Sequence, residues 1–338
     1  MTRAVMLQKG LVIRFPRRPH QLTETATPLD GIFTLAHFGI PEIEPRLWTI
    51  RIEGMVQRPL VLSVEELMRR PKRTVVSVHE CAGNPLKPTE AFRAVANVAW
   101  SGADLREILD EATVDSAARF VWSYGVDHGE YEGTQNASYL KDLPLERAMA
   151  GEVLLAYEMN GEPLTIEHGA PVRLFIPGFY GTNNVKWLYR IEIADRRADS
   201  PMTTVLYNDA LPSASRGNSA GKSARPVWEI APESVIVAPP PNAELPVGQA
   251  VQIWGWAWAS RGVARAEVST DGGATYQRAK LDGRAQWSWQ RFSYDWVPVS
   301  AGTVAISCRA TDSDGVTQPS HGARNSVHET VVSVAPAD

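Results

Sequence analysis

From about residue 230 the chain is a succession of short strand-like runs: VWEI, SVIVA, VQIWGWAWA, VARAEVST, TYQRAKL, WSWQRFSYDW, TVAISCRATD and TVVSV. Turn signals part them, with DGG at 271–273, DG at 282–283 and SDG at 313–315. Strands at that spacing bury their apolar faces best as two packed sheets. The pattern predicts an immunoglobulin-like β-sandwich over 231–338. Seven of the eleven tryptophans fall in this part: Trp228, Trp254, Trp256, Trp258, Trp287, Trp289 and Trp296. They predict a filled core and an interface. A sugar-binding face is the alternative, and it needs several of the rings exposed side by side.

The preceding part has another character. LWTIRIEGMV (47–56) alternates as a strand does, and SVEELMRR (63–70) opens with a Ser cap and an acidic first turn. SGADLREILDEA (101–112) carries apolar residues at helical spacing. FVWSYGV, EVLLAYEMNG, VRLFIPG and VKWLYRIEIA read as further strands. Short strands mixed with short helices, without regular alternation, predict an α+β domain over 31–230. Residues 1–30 predict an extended arm. LPSASRGNSAGKSARP (211–226) predicts a loop or lid, and APPPN (238–242) a stiff linker or domain edge. A length of 338 residues suits two domains.

Charge and cysteine content remove several classes. A net charge of −4 gives no reason to expect nucleic acid or an anionic membrane. No apolar run reaches the roughly 18–20 residues of a membrane span. The N-terminus lacks the pattern of a secretory leader, so the expected compartment is cytoplasmic, or periplasmic if a leader has been removed. Two cysteines, Cys81 and Cys308, exclude a disulfide scaffold and an all-cysteine metal site. No C-x-x-C-H is present, so no c-type haem is expected.

Cys81 closes the strand-like VVSVHE and opens the turn CAGN. A sulfur there can face a cleft, although a lone cysteine is commonly a small buried apolar group. His79 would share its face of the strand, which makes a Cys–His nucleophile conceivable, at poor geometry for a general base. Farther on, HGAPVR (168–173), PGFYG (177–181) and NNVKW (183–187) set His168, Arg173 and Lys186 on turns within 19 residues. Gly-rich turns bring backbone N–H groups to an anion, and a guanidinium can bind phosphate through paired hydrogen bonds. The pattern fits a pocket for a phosphorylated ligand, or equally three surface charges.

EVLLAYEMNGEPLTIEHGAPVRLFIPGFYGTNNVKWLYRIEI (152–193) closely resembles the cofactor-binding core of the sulfite oxidase family. CAGN (81–84) with VAWSG (98–102), YGVD (124–127) before PLERAM (144–149), and the later STDGGATYQ (269–277) and RATDSDGVTQP (309–319) resemble other stretches of that family in the same order. The resemblance covers nearly all of the chain after residue 30. It implies a molybdopterin-binding domain followed by a dimerisation domain, and oxygen-atom transfer with electrons passed to a separate acceptor such as a cytochrome. By resemblance Cys81 is the thiolate ligand of molybdenum. Phe33, Thr34, Leu35, Ala36 and His37 form a first cofactor loop. Asp127 hydrogen-bonds the pterin. His168, Arg173, Asn184, Val185 and Lys186 hold the pterin and its phosphate, and Tyr207 stands beside the metal. A homodimer is implied through the second domain, and no haem within this chain.

The chain departs from the family at the substrate. Sulfite oxidisers carry arginine where this chain has Leu35 and Leu86. Lys87 stands one residue on, and Arg324 lies near the expected place of a third arginine. Losing a charge-assisted hydrogen bond costs roughly 1.5–3 kcal/mol, so two such losses argue for a less charged substrate, such as a sulfoxide or another oxo compound.

Overall fold

The computed structural model describes residues 4–15, 17–84, 94–210 and 224–336. The chain folds as two compact units. The first takes residues 1–14, 34–75 and 99–228, and the second 15–33, 76–98 and 229–338.

A five-stranded sheet organises the first unit, in the order Tyr139–Pro144, Phe120–Gly125, Leu188–Ala194, Thr49–Gly54, Leu60–Ser63. Its neighbours are antiparallel except Leu188–Ala194 beside Thr49–Gly54. Ile50 and Ile52 alternate inward and are fully buried, as the period-two pattern requires. Ser63 caps the helix Val64–Met68 by accepting the Glu66 N–H, and the Glu66 carboxylate accepts the Ser63 N–H in return at 2.8 Å. Asp104 caps Leu105–Ala112 in the same way, taking the Arg106 N–H at 2.9 Å. Leu105, Ile108, Leu109 and Ala112 then form one buried stripe. Each large apolar side chain so covered contributes about 1.5–3 kcal/mol.

A second sheet contains Leu154–Met159 between Val95–Asp104 and Glu162–Pro163, with Arg173–Phe175 also paired to Leu154–Ala156. Gly102 lies where Val95–Asp104 meets Leu154–Met159. A Cβ there would come within 2.2 Å of the Leu155 carbonyl oxygen, so only glycine admits this close approach.

In the second unit, one sheet runs Glu233–Ala238, Val251–Trp258, Gln290–Trp296, Lys280–Leu281. The other runs Glu244–Pro246, Glu329–Ala335, Gly302–Asp312, Val263–Ser269, Gln277–Arg278. Ile236, Ile253 and Phe292 from the first share one buried cluster with Val268, Ile306, Cys308 and Val332 from the second. TYQRAKL does not make one strand. It is two short pieces, one on each sheet, with Ala279 N–H bound to the Ala266 carbonyl between them.

Several expectations need correction. The stretch 1–30 is not a free arm. Ala4–Lys9 and Val12–Arg14 pair with Gly39–Ile43 and Thr34–Ala36 in the first unit, while 15–33 belongs to the second. The latter segment has few backbone partners of its own, and indoles satisfy its carbonyls. Trp256 Nε1 donates to Leu22 at 2.6 Å and Trp289 Nε1 to Thr25 at 2.9 Å. APPPN is no linker between domains, since it joins strands of the two sheets inside the second unit. VWEI forms no strand, being followed closely by Pro232 and preceded by Pro226. The tryptophans offer no exposed platform. Trp256, Trp258 and Trp289 are buried and the other four half-buried. The lid expected at 211–226 falls mostly outside the described residues, as do Leu86 and Lys87.

Candidate active site

In the first unit the turns at 168–187 gather a cluster of cations. The turn Ile166–His168 ends on Gly169 at φ +105°, a region open to glycine. A Cβ on Gly169 would lie 3.1 Å from Lys186 Cβ and 3.2 Å from Arg173 Cβ, so glycine also admits both side chains. Arg173 is 3% exposed. Its Nη1 donates to the His168 carbonyl and its Nη2 to the Asn184 carbonyl, both at 2.9 Å, and the guanidinium lies 4.8 Å over the Trp100 ring. Lys186 Nζ donates to the Glu167 carbonyl at 2.9 Å and faces the Trp187 ring at 4.3 Å. His168 Nδ1 meets Thr165 Oγ1 at 2.8 Å. Asn184 Oδ1 accepts the Ile176 N–H at 2.6 Å, and the Val185 carbonyl accepts from Leu174.

Asp127 completes this cluster, buried just past the strand Phe120–Gly125. A Cβ on Gly125 would meet Asp127 Oδ1 at 2.6 Å and the Lys186 carbonyl at 2.8 Å. Gly125→Ala should therefore displace Asp127 and the Lys186 backbone together. The expected loss of about 1–3 kcal/mol, typical of overpacking, can be read from thermal or denaturant unfolding.

Desolvation governs the charges. Burial pushes Arg173 down to about 9. Burial first, then repulsion from Arg173, pushes Lys186 down, while Asp127 and Glu167 pull it up. Burial raises Asp127 against the pull of Lys186. These cations spend their bonds on neutral carbonyls, and among the described residues neither Arg173 nor Lys186 has a carboxylate in salt-bridge contact. Arg173 Nε and Asn184 Nδ2 are buried donors with no acceptor among the described residues. Positive charge held without a salt bridge, with spare donors, fits an anionic ligand group such as a phosphate.

His37 lies beside this cluster electrostatically, since Lys186 and Lys141 both act on it. Burial is the larger cause and lowers its pKa to about 3, so the ring is neutral at ordinary pH. Its Nε2 meets Tyr207 Oη at 2.5 Å, and Tyr131, Tyr139 and Phe38 surround the ring. Thr34, Leu35 and Ala36 precede it on the strand that pairs with Val12–Arg14, Leu35 lying opposite Ile13.

Cys81 belongs to the second unit, immediately after the strand Lys72–Glu80. The turn beyond it is clamped from several sides. Cys81 N–H donates to the Ala94 carbonyl and Asn84 N–H to the Cys81 carbonyl, each at 2.9 Å. The buried Glu80 carboxylate accepts from Asn84 Nδ2 at 3.0 Å and from Trp258 Nε1 at 2.8 Å. Arg324 Nη1 holds the Ala82 carbonyl at 2.7 Å. Gly83 N–H points at Sγ from 3.4 Å. Phe33, also in this unit, stacks on His79 at 5.1 Å. Burial pushes the Cys81 thiol up to about 11, with Gly83, Asn84 and Arg324 opposing. A free thiol so placed stays protonated and is a poor nucleophile, which disfavours the hydrolase reading. A bound metal would keep the sulfur ionised. Cys308 is buried among apolar side chains and, like Cys81, forms no disulfide.

Residues 37–202 match the model of the oxidoreductase molybdopterin binding domain, and 224–331 that of the Mo-co oxidoreductase dimerisation domain. Sulfite oxidase of Gallus gallus is 34% identical over 319 residues, covering 87% of this chain and 68% of its own length. The chain belongs to the sulfite oxidase family of molybdopterin-dependent oxidoreductases. Mitochondrial sulfite oxidase of Homo sapiens is 33% identical, and this chain spans 59% of it. The crystal structure of the sulfane dehydrogenase SoxCD from Paracoccus pantotrophus superposes with a TM-score of 0.79 at 29% identity, covering 92% of this chain and 82% of that one.

Among the family positions assigned from sequence, the first unit brings together Asp127, His168, Arg173, Asn184, Val185 and Lys186, and sets His37 on Tyr207. Phe33 and Cys81 lie in the second. Sequence reasoning missed Gly125, Gly169, Trp100 and Lys141. The first two are close-approach glycines inside motifs already singled out. Lys141 had a visible signal, a lysine at an inward position of the strand Tyr139–Pro144.

Proposed function

We propose that this oxidoreductase performs oxygen-atom transfer at a molybdenum centre with Cys81 as the protein ligand, passing electrons to a separate acceptor such as a cytochrome. The observation that carries the reading is the buried Arg173 beside the half-buried Lys186, neither in a salt bridge to a carboxylate among the described residues. A molybdenum–molybdopterin group, when bound, supplies the two-electron redox chemistry. Arg173, Lys186, His168, Asn184 and Val185 bind and orient its phosphate and pterin. Asp127, whose carboxyl is raised by burial, is placed to hydrogen-bond the pterin ring. Tyr207 rests its hydroxyl on the neutral His37 and would be the side chain that hydrogen-bonds the reacting oxygen. Thr34 and Ala36 line the first cofactor loop, and Phe33 braces His79 beside the sulfur ligand.

The substrate proposed is a sulfoxide or another weakly charged sulfur or oxo compound. Leu35, half-buried opposite Ile13, offers no charge to a sulfite dianion. The second unit is proposed to be an immunoglobulin-like module that forms a homodimer, which light scattering would check. The whole reading is tested by metal and pterin analysis of the purified protein, followed by turnover with sulfite and with sulfoxides. Absence of molybdenum and pterin from protein made in a cofactor-competent host would defeat it. Leu35→Arg with Leu86→Arg should raise kcat/KM for sulfite about 10–100-fold, each guanidinium adding a charge-assisted bond. An unchanged value would mean that charge at these positions does not limit sulfite use.

A further inference from the structure

Lys141 sits on the strand Tyr139–Pro144 with its side chain turned inward and 3% exposed. Its ammonium donates to the Met202 carbonyl at 2.8 Å and stands 5.2 Å from the centre of the Tyr207 ring. The carboxylate next to it in sequence is spent elsewhere. Asp142 takes Arg197 through bonds of 2.8 and 3.0 Å and the Ala198 N–H at 3.1 Å. Among the described residues no carboxylate forms a salt bridge with Lys141. An ammonium has three protons to place, and burying one with a single carbonyl acceptor is costly. Burial pushes Lys141 down to about 7, with Asp142 pulling up and Arg197 pushing down. Groups perturbed in this way gather at working sites.

Lys141 also grips the segment that carries Tyr207. Met202 lies in the helix Pro201–Thr204, and Thr203 Oγ1 from the same helix donates to the Leu140 carbonyl at 3.0 Å. Asn208 Nδ2 closes on the Thr203 and Leu206 carbonyls, both at 2.8 Å. Tyr207 itself stands at φ +57°, a conformation that a bulky residue keeps only when its surroundings hold it. Its carbonyl accepts the Val227 N–H at 2.9 Å, and its hydroxyl lies on His37.

We infer that Lys141 is a positioning residue for Tyr207: its buried amine, bound to the Met202 carbonyl and set against the phenol ring, pins the segment that bears Tyr207 and so keeps its hydroxyl on His37. Lys141 also disfavours a proton on His37, behind burial and Lys186. The groups that share this environment are Asp142 and Arg197 around Lys141, and Lys186, Tyr131, Tyr139 and Tyr207 around His37. The inference rests on the proposed role of Tyr207 in handling the proton of the reaction.

The test uses the metal-loaded protein with its nine tyrosines replaced by 3-fluorotyrosine, the Tyr207 resonance being assigned with Tyr207→Phe. Lys141→Met should move the fluorine-NMR resonance of Tyr207, because the ring loses the amine beside it and its fixed place on His37. It should also lower kcat about tenfold with KM little changed. Lys141→Arg, which keeps a donor for the Met202 carbonyl, should restore both. If Lys141→Met does not fold, Lys141→Leu carries the same measurement. An unmoved resonance in a folded variant overturns the inference, and so does a Lys141→Arg protein as impaired as Lys141→Met. If Tyr207→Phe turns over as wild type while Lys141→Met still moves the resonance, the catalytic role of Tyr207 fails and the positioning role stands.

Discussion

A Cys81→Ser protein should purify folded and carry molybdenum near background, with turnover down on the order of a thousandfold. The size follows from comparison: changing a residue behind a metal ligand costs roughly 10–100-fold, and this change removes the ligand. A serine hydroxyl is a harder donor and ionises far less readily than a thiol, so it cannot replace a soft thiolate. The fold should survive because the bonds that shape the turn are mostly not made by the sulfur. Cys81 N–H to Ala94, Asn84 N–H to Cys81 carbonyl, Glu80 to Trp258 and Arg324 to Ala82 all remain. Among the described residues, the contacts altered are those of the Gly83 and Asn84 N–H groups with Sγ. Elemental analysis with a thermal melt separates the two effects. A variant holding a full complement of metal and pterin would remove Cys81 from the metal.

Arg173→Met should lose the pterin, with a much smaller effect on folding. Methionine keeps an apolar stem beside Trp100 and removes the guanidinium. In the cofactor-free protein two effects oppose. The His168 and Asn184 carbonyls lose donors, at about 1–3 kcal/mol each, while an uncompensated buried charge disappears. With cofactor bound, nothing offsets the lost charge-assisted bonds to the phosphate. Their roughly 1.5–3 kcal/mol corresponds to about 10–100-fold weaker retention, and loosening of the turn between His168 and Asn184 adds to it. The pterin-to-protein ratio after extended dialysis reads the first effect, and unfolding with and without cofactor reads the second. Retention equal to wild type would mean that the cation cluster serves another ligand.

The periodic elements were legible in the linear chain because their causes are local. Ser63 and Glu66 announce a capping box, and Leu105, Ile108, Leu109 and Ala112 fall at helical spacing whatever surrounds them. The turn signals at 271–273 and 313–315 likewise part strands of the second unit. The position of Cys81 at a strand end was visible for the same reason. The failures have a common cause as well. VWEI reads as a strand until its flanking prolines are weighed, and TYQRAKL reads as one strand although it divides between two sheets. In both, the outcome depended on which backbone partners were available.

By itself the sequence determined the family, through several motifs that resemble it in the same order, and with it the two-part organisation and the residue types that can grip a phosphate or a metal. It also determined that arginine is missing at positions 35 and 86. Tertiary structure alone decided that residues 15–33 and 76–98 join the second unit, where tryptophan N–H groups and Glu80 meet partners far away in the chain. It alone decided that Arg173 and Lys141 are buried, and Lys186 half-buried, with no salt bridge to a carboxylate among the described residues, and so which lysine bears on Tyr207. The physical reason is that desolvation and unmatched charge are properties of a three-dimensional neighbourhood. A local pattern can name the side chain, but the cost of burying it is set by residues 60 or more positions away, as Met202 is from Lys141.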